Sequence, residues 1–146
     1  MTQINEIMVD STILNAYKNG DTHARKLIFE AIEGNINISI CAVSIINIWS
    51  TATFDRKSEI GFTGIFSFLD VIDLDSEVAR HAGNFLRGNL DIDSSLGIER
   101  AVLAAYAELV GKNIVTNDPE EYAPFNCEAK YLESYILNQT ETEIYS

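Results

Sequence analysis

The chain has 146 residues, with 22 acidic side chains against 10 basic ones and a net charge of −12. That length holds one domain with one sizeable core, and the 47% hydrophobic and 22% charged fractions are those of a globular protein. The charge argues against broad nucleic-acid binding, which depends on Lys and Arg neutralising phosphate. It suits a basic partner, a metal-assisted site or simple solubility.

Ile4 to Val9 is short and mostly apolar, which predicts a buried strand, and Asp10-Ser11 follows it. Asp21 then reads as an N-cap. Ala24, Leu27, Ile28, Ala31 and Ile32 form one helical face, and Gly34 ends it. Ile36 to Cys41 predicts a second strand, leading directly into a helix from Ala42 to about Thr53. Residues 54–69 suggest one or two short helices, with Gly61 and Gly64 as weak points. Leu69 to Leu74 predicts a third strand. Asp75 or Ser76 caps the next helix, which stops at Gly88.

Residues 89–95 read as a polar loop. Ser94 or Ser95 caps a helix running to Val110, with Ile98, Val102, Ala105, Tyr106 and Leu109 spaced for burial and Gly111 closing it. Asn113 to Thr116 is a fourth strand and ends at Asn117-Asp118-Pro119. Ala129 to Leu132 is a candidate fifth strand. The domain is expected to span residues 1–138, and the polar tail at 139–146 is expected to fray.

No apolar run reaches the roughly 18 residues of a membrane span, and the N-terminus reads as carrying no signal peptide. Cys41 and Cys127 read as free thiols in a reducing cytoplasm, with Cys41 in the core. His23 and His81 have no partner at ligand spacing and are expected at the surface. The basic residues are scattered, with small pairs at Arg25-Lys26 and Arg56-Lys57.

Strands alternating with helices imply a mostly parallel sheet covered on both faces. In such sheets the C-terminal ends of strands and the N-termini of helices share one edge, where ligands bind. Asp10 and Asp118 end strands on that edge. Asn47 lies early in the helix after the second strand, and Glu99 and Arg100 lie near the start of the helix before the fourth.

Converging carboxylates repel, so one is raised in pKa or both share a cation. Mg²⁺ or Mn²⁺ is the natural ion for an all-oxygen site, and it deprotonates water and steadies a phosphoryl transition state. The competing reading is that each aspartate caps a turn or helix. Thr12 and Thr116 are placed to hydrogen-bond the aspartates or to serve as turn hydroxyls. Asn117 reads as a polar neighbour of the site or a turn residue.

Val9-Asp10-Ser11-Thr12-Ile13-Leu14 resembles the opening strand and first acid of PIN-domain proteins. Ala101 to Asp118 (AVLAAYAELVGKNIVTND) is similar to the family's helix, glycine, strand and Thr-x-Asp ending. Ser39 to Ser50 is similar to its second strand and following helix. The resemblance covers roughly Ile4 to Leu132. It implies a three-layer α/β/α domain with a central, mostly parallel sheet of four or five strands. It also implies a divalent-metal endoribonuclease using three or four acids, of the toxin–antitoxin type, with RNA as substrate and a basic antitoxin-like protein as partner.

Two positions depart from that pattern. Asp10 and Asp118 fall on the first and last acids, but Asn47 stands at the second and Arg100 at the third. Asn offers only an uncharged carbonyl, and Arg cannot ligate a metal. Glu99 is adjacent, but one helical step rotates a side chain by about 100°.

Two readings follow. In one, Asp10, Asp118 and either Asn47 or Glu99 hold Mg²⁺ or Mn²⁺ and cut RNA. In the other, the site is degenerate, needs no metal, and the chain is a binding module. That module works through homodimerisation or a basic partner, using the aromatic region formed by Trp49, Phe54, Phe62, Phe66 and Phe68, for which core packing is the competing reading.

Overall fold

A computed structural model describes residues 5–89 and 95–145, with the side chains of all of these except 95, 96 and 140–145. The elements are β1 (Asn5–Val9), α1 (Ser11–Lys18), α2 (Thr22–Ile32), β2 (Ile36–Cys41), α3 (Ala42–Trp49) and α4 (Arg56–Phe66). They continue with β3 (Asp70–Ile72), α5 (Ser76–Arg87), α6 (Ser95–Val110), β4 (Asn113–Thr116), a 3₁₀ segment (Pro119–Phe125), β5 (Lys130–Tyr131) and α7 (Leu132–Tyr145). The five strands form one parallel sheet in the order β3-β2-β1-β4-β5.

The strand period of two divides the core between the faces of this sheet. Ile7, Val9, Ile38, Ile40 and Val115 point to one side, where they meet Leu14, Leu27, Ile28, Ile48 and Phe62 from α1 to α4 and Tyr135 and Ile136 from α7. Met8, Cys41 and Ile114 point to the other, against Val78 and Ala82 of α5, Ala101–Tyr106 of α6, and Tyr122 and Phe125 of the 3₁₀ segment. The result is the three-layer α/β/α arrangement that the alternating pattern implies.

Short-range chemistry fixes the helix ends. Asp21, Asp55 and Asp75 each accept a hydrogen bond from the backbone N–H three residues on, at Ala24, Ser58 and Val78. Caps of this kind contribute ~1 kcal/mol each. Gly34 and Gly111 stand at φ +81° and +73°, the left-handed conformation that lets the chain leave α2 and α6 without a Cβ clash.

Several expectations need correction. Of the one or two short helices expected in residues 54–69 there is one: Asp55 caps an α4 that runs through Gly61 and Gly64, the expected weak points, with Phe62 and Ile65 buried. The third strand is three residues long rather than six. The helix α1, with Ile13 and Leu14 buried and Ala16 and Tyr17 packed beside them, was not foreseen. The backbone of the segment read as a polar tail continues α7 to Tyr145. The Ser94 cap lies outside the described residues.

Ile98 and Leu109, expected in the core, are 52% and 42% exposed, while six consecutive residues from Ala101 to Tyr106 are at most 4% exposed. The central stretch of α6 is enclosed by the sheet, by α5 and by the 3₁₀ segment, so its side chains pack all round rather than along one stripe; Ile98 and Leu109 lie outside that stretch, near the two ends of the helix. Trp49 and Phe54 are in ring contact at 4.5 Å, and Phe54 and Phe62 at 6.1 Å, but Phe68 is 52% exposed. His81 is paired rather than free, with Nε2 2.9 Å from Glu108 Oε2. Among the described residues, no helix is long and apolar enough to cross a membrane.

Ile40 lies fully buried at the centre of the sheet. Ile40→Ala is expected to cost about 2–5 kcal/mol, read as a fall in the urea midpoint with an unchanged slope. Phe68→Ala should stay within about 0.5 kcal/mol of the parent.

Candidate functional site

Chain connectivity chooses the location. From β1 the chain builds outward to β2 and β3, then returns to place β4 and β5 on the other side of β1. The order therefore switches between β1 and β4, leaving a crevice at their C-terminal ends. Asp10 follows β1 directly, and Asp118 lies two residues beyond β4.

Asp10 is 0% exposed. Its Oδ1 accepts from the Thr12 backbone N–H at 3.1 Å and the Thr12 hydroxyl at 2.5 Å, so it is the N-cap of α1. Its Oδ2 accepts from the Thr116 hydroxyl at 2.6 Å and the Tyr122 hydroxyl at 2.7 Å. Two oxygens offer about four lone-pair positions, and four protein donors fill them. Tyr122 is itself 0% exposed. Burial and the neighbouring Asp10 charge push its phenol well above the ordinary tyrosine value, which keeps it a donor. Thr12 also accepts from the Asn117 backbone N–H at 3.1 Å, and Asn117 Nδ2 reaches the Thr12 carbonyl at 3.5 Å. Asp10, Thr12, Thr116, Asn117 and Tyr122 thus form one knot.

Glu99 and Arg100, adjacent in sequence, diverge as the helical step requires. Glu99 turns inward and is 1% exposed. It accepts from the Ser11 N–H at 3.0 Å and the Ser11 hydroxyl at 2.7 Å. Burial raises its pKa and the charge of Asp10 adds to this; the hydroxyls of Ser44 and Ser11 and the Ser11 N–H pull it partly back. Ser44 influences Glu99 by proximity only, because its Oγ has no hydrogen-bond partner of good geometry among the described residues. Asn47, one turn further along α3, likewise has a buried Nδ2 with no such partner.

Arg100 turns toward the rim. Its guanidinium spans Asp118 Oδ2 at 3.4 Å and Glu121 Oε2 at 3.5 Å, and the residue is only 8% exposed. Asp118 is half-exposed. Desolvation raises its pKa above the ordinary value, Arg100 opposes this, and Glu120, Asp10 and Glu121 add to the rise. The Asp118 N–H donates to Thr116 Oγ1 at 3.1 Å.

Tyr122, Glu121 and Ser11 were not foreseen as site residues. Ser11 carried a signal, since it neighbours Asp10. Tyr122 carried none: its reach depends on the 3₁₀ turn that begins at Pro119.

A divalent cation needs carboxylate oxygens with open lone pairs at about 2.0–2.6 Å. Asp10 offers none. Asp118 is shared with a guanidinium, and Arg100 brings a positive charge to the third acidic position. Among the described residues, no three His, Cys, Asp or Glu side chains are grouped to hold a metal ion. The residues present do not fit a PIN-type metal centre.

Asp10→Asn is expected to destabilise the fold by about 2–3 kcal/mol in urea titration, because an amide supplies one acceptor where four donors converge. A gain in stability would instead indicate a carboxylate relieved of repulsion. The raised pKa values of Glu99 and Asp118 mean that the folded chain holds protons more tightly than the unfolded chain, in a window starting from their ordinary values of 4.5 and 3.8. Stability from these groups is therefore regained on acidification into that window and lost as pH rises through it. Asp55 is shifted down, so its opposite contribution is lost below 3.8. Glu99→Gln should flatten the urea-midpoint profile between pH ~4.5 and neutrality.

No family model and no curated protein matches the chain. Solved structures do match in fold. DNA-bound VapBC from Salmonella typhimurium has a TM-score of 0.65 at 18% identity, covering 89% of this chain and 99% of that one. VapBC2 from Rickettsia felis, bound to a promoter DNA fragment, gives 0.64 at 18%, covering 86% and 98%. A toxin–antitoxin complex from Klebsiella pneumoniae gives 0.61 at 15%, covering 80% and 90%. At these identities the likeness speaks for the fold, and the chain has the PIN-like α/β/α fold of the toxin domains in such complexes.

Proposed function

We propose that this chain is a PIN-like binding module that has lost metal-dependent RNA hydrolysis. It acts in the cytoplasm by pairing with a second copy of itself or with a basic, antitoxin-like polypeptide. One observation carries the reading: the four lone-pair positions of Asp10 are occupied by Thr12, Thr116 and Tyr122, with Arg100 beside Asp118. A centre filled by its own donors has no use for Mg²⁺ or Mn²⁺, and an arginine at its rim neutralises the charge an ion would neutralise.

The partner is supported by charge and by exposed apolar surface. A net charge of −12 suits a basic polypeptide. Ile46 and Trp49, one turn apart on α3, are 65% and 36% exposed. The solved proteins of similar fold are toxin–antitoxin complexes by their own descriptions.

The discriminating experiment incubates the purified chain with single-stranded and structured RNA in millimolar Mg²⁺ or Mn²⁺, with and without chelator, and follows thermal unfolding in the same buffers. The expected outcome is no chelator-sensitive cleavage and a melting-temperature change under ~1 °C. Cleavage that chelator and Asp10→Asn both abolish would make the chain an endoribonuclease instead. Light scattering of Trp49→Asp, beside the parent, tests self-pairing through α3: the variant is expected to be monomeric.

A further inference from the structure

We infer that the cavity between α1, α2 and the first turns of α4 is a binding site for a small organic anion. Lys18, Arg25 and Lys57 hold its acidic group, and its apolar body sits on Tyr17, Phe62 and Ile65. The site is separate from the strand edge. Asp10 caps the start of α1, whereas Lys18 is the last residue of that helix, and none of Asp10, Glu99, Arg100 and Asp118 lines the cavity.

The charge of the lining opposes the charge of the chain. Against 22 acidic side chains the chain carries 10 basic ones, yet the cavity is lined by Lys18, Arg25 and Lys57 and by a single carboxylate, Asp55. Arg25 and Lys57 come from the two basic pairs, Arg25-Lys26 and Arg56-Lys57, which stand far apart in sequence. Among the described residues, none of the three cations forms a salt bridge. Lys18 Nζ donates to the Thr53 hydroxyl at 2.6 Å and lies 5.8 Å from the centre of the Phe54 ring. The Arg25 guanidinium lies 6.0 Å from the centre of the Tyr17 ring. A hydroxyl and two ring faces position these cations without cancelling their charge. Asp55 is engaged in capping α4: its Oδ1 accepts from both the N–H and the hydroxyl of Ser58, each at 2.8 Å. A cleft lined by one sign of charge concentrates ions of the other. Carboxylates and phosphate monoesters both accept from ammonium and guanidinium donors.

The shape supplies the second requirement. The cavity measures about 310 Å³, which suits one ring and its acidic group. Phe62 and Ile65 are buried and give it an apolar wall, with the Tyr17 ring 6.3 Å from that of Phe62. Gly61 keeps the mouth wide, because a Cβ there would meet nothing within 4 Å. A glycine inside a helix weakens it. No neighbouring group requires one at Gly61, whereas a ligand passing between Lys57 and Phe62 does.

The test titrates the isotopically labelled full chain with benzoate, phenyl phosphate, inorganic phosphate and benzyl alcohol, following the amide resonances of Lys57, Ser58 and Gly61. Benzoate or phenyl phosphate is expected to bind saturably with a Kd on the order of 1 mM or tighter. The tighter of the two identifies the acidic group. Inorganic phosphate lacks the apolar body and benzyl alcohol lacks the charge, so each should bind at least ~10-fold more weakly. The double variant Arg25→Gln/Lys57→Gln changes two exposed side chains and should weaken binding by about 10-fold or more. Gly61→Leu should abolish it. The absence of saturable shifts with both aromatic anions overturns the inference. So does binding that the Arg25→Gln/Lys57→Gln variant retains, or that benzyl alcohol matches. None of these outcomes alters the proposed function, which is decided by RNA cleavage and by Mn²⁺ at the strand edge.

Discussion

The architecture around the sheet edge depends on how one buried negative charge is satisfied. The Asp10 carboxylate is fully enclosed. An isolated carboxylate in that position carries a desolvation cost that would drive it to protonate or the fold to open. Instead it receives hydrogen bonds from its own cap turn at the start of α1 and, from the far end of the chain, from the end of β4 and the 3₁₀ segment that follows. Each hydrogen bond to a charged group is worth about 1.5–3 kcal/mol, and leaving any donor unpaired in the interior costs a comparable amount. The same atoms thus cap a helix, join β1 to β4 beyond their last backbone pairing, and anchor the chain's turn toward β5. Three junctions of the fold are tied to one side chain here, so a substitution at Asp10 reports on all of them.

Glu99 and Arg100 show how one helical step separates two roles. The inward residue is an acid whose burial raises its pKa, held by Ser11. The outward one is a cation that gathers Asp118 and Glu121. Exchanging the two types would send the cation against Ser11, which offers Glu99 a backbone donor, and would leave three acids together at the rim. The order found places each charge beside a group of the right polarity.

Much of this was readable in the sequence, for identifiable reasons. Ile36–Cys41 and Asn113–Thr116 were bounded correctly because each is a short, β-branched stretch set off by turn residues: Gly34-Asn35 precedes the first, and Gly111-Lys112 and Asn117-Asp118 flank the second. Gly34 and Gly111 marked helix ends because few residues other than glycine tolerate their φ. The aspartate edge followed from strand–helix alternation alone. What failed was whatever depends on tertiary enclosure. The exposed Ile98 and Leu109 obey helical periodicity but lie near the ends of α6, beyond the enclosed stretch Ala101–Tyr106, and periodicity does not mark where enclosure stops. The pairing of His81 with Glu108 joins helices α5 and α6. Tyr122 is the most consequential omission. Nothing in Pro-Glu-Glu-Tyr announces that a phenol four residues past Asp118 returns to Asp10, because that path is set by the pitch of a 3₁₀ turn against α6.

On the proposed reading the PIN-like edge holds no ion and must still resolve the repulsion among its acids, and the donors present do so in two ways matched to depth. At full burial it uses hydroxyls, which are compact, lie within hydrogen-bond reach at 2.5–2.7 Å and bring no second charge to desolvate. At the rim it uses a guanidinium that is itself only 10% exposed but faces Asp118, a carboxylate that water still reaches. The reverse assignment would bury an ion pair, whose desolvation cost can exceed its attraction. The proposed function then implies that the geometry of the edge is independent of the free concentration of any divalent ion. On this reading the outer surface stays constant while ion levels vary, and recognition of a partner falls to shape and charge on the helices rather than to chemistry at the strand ends.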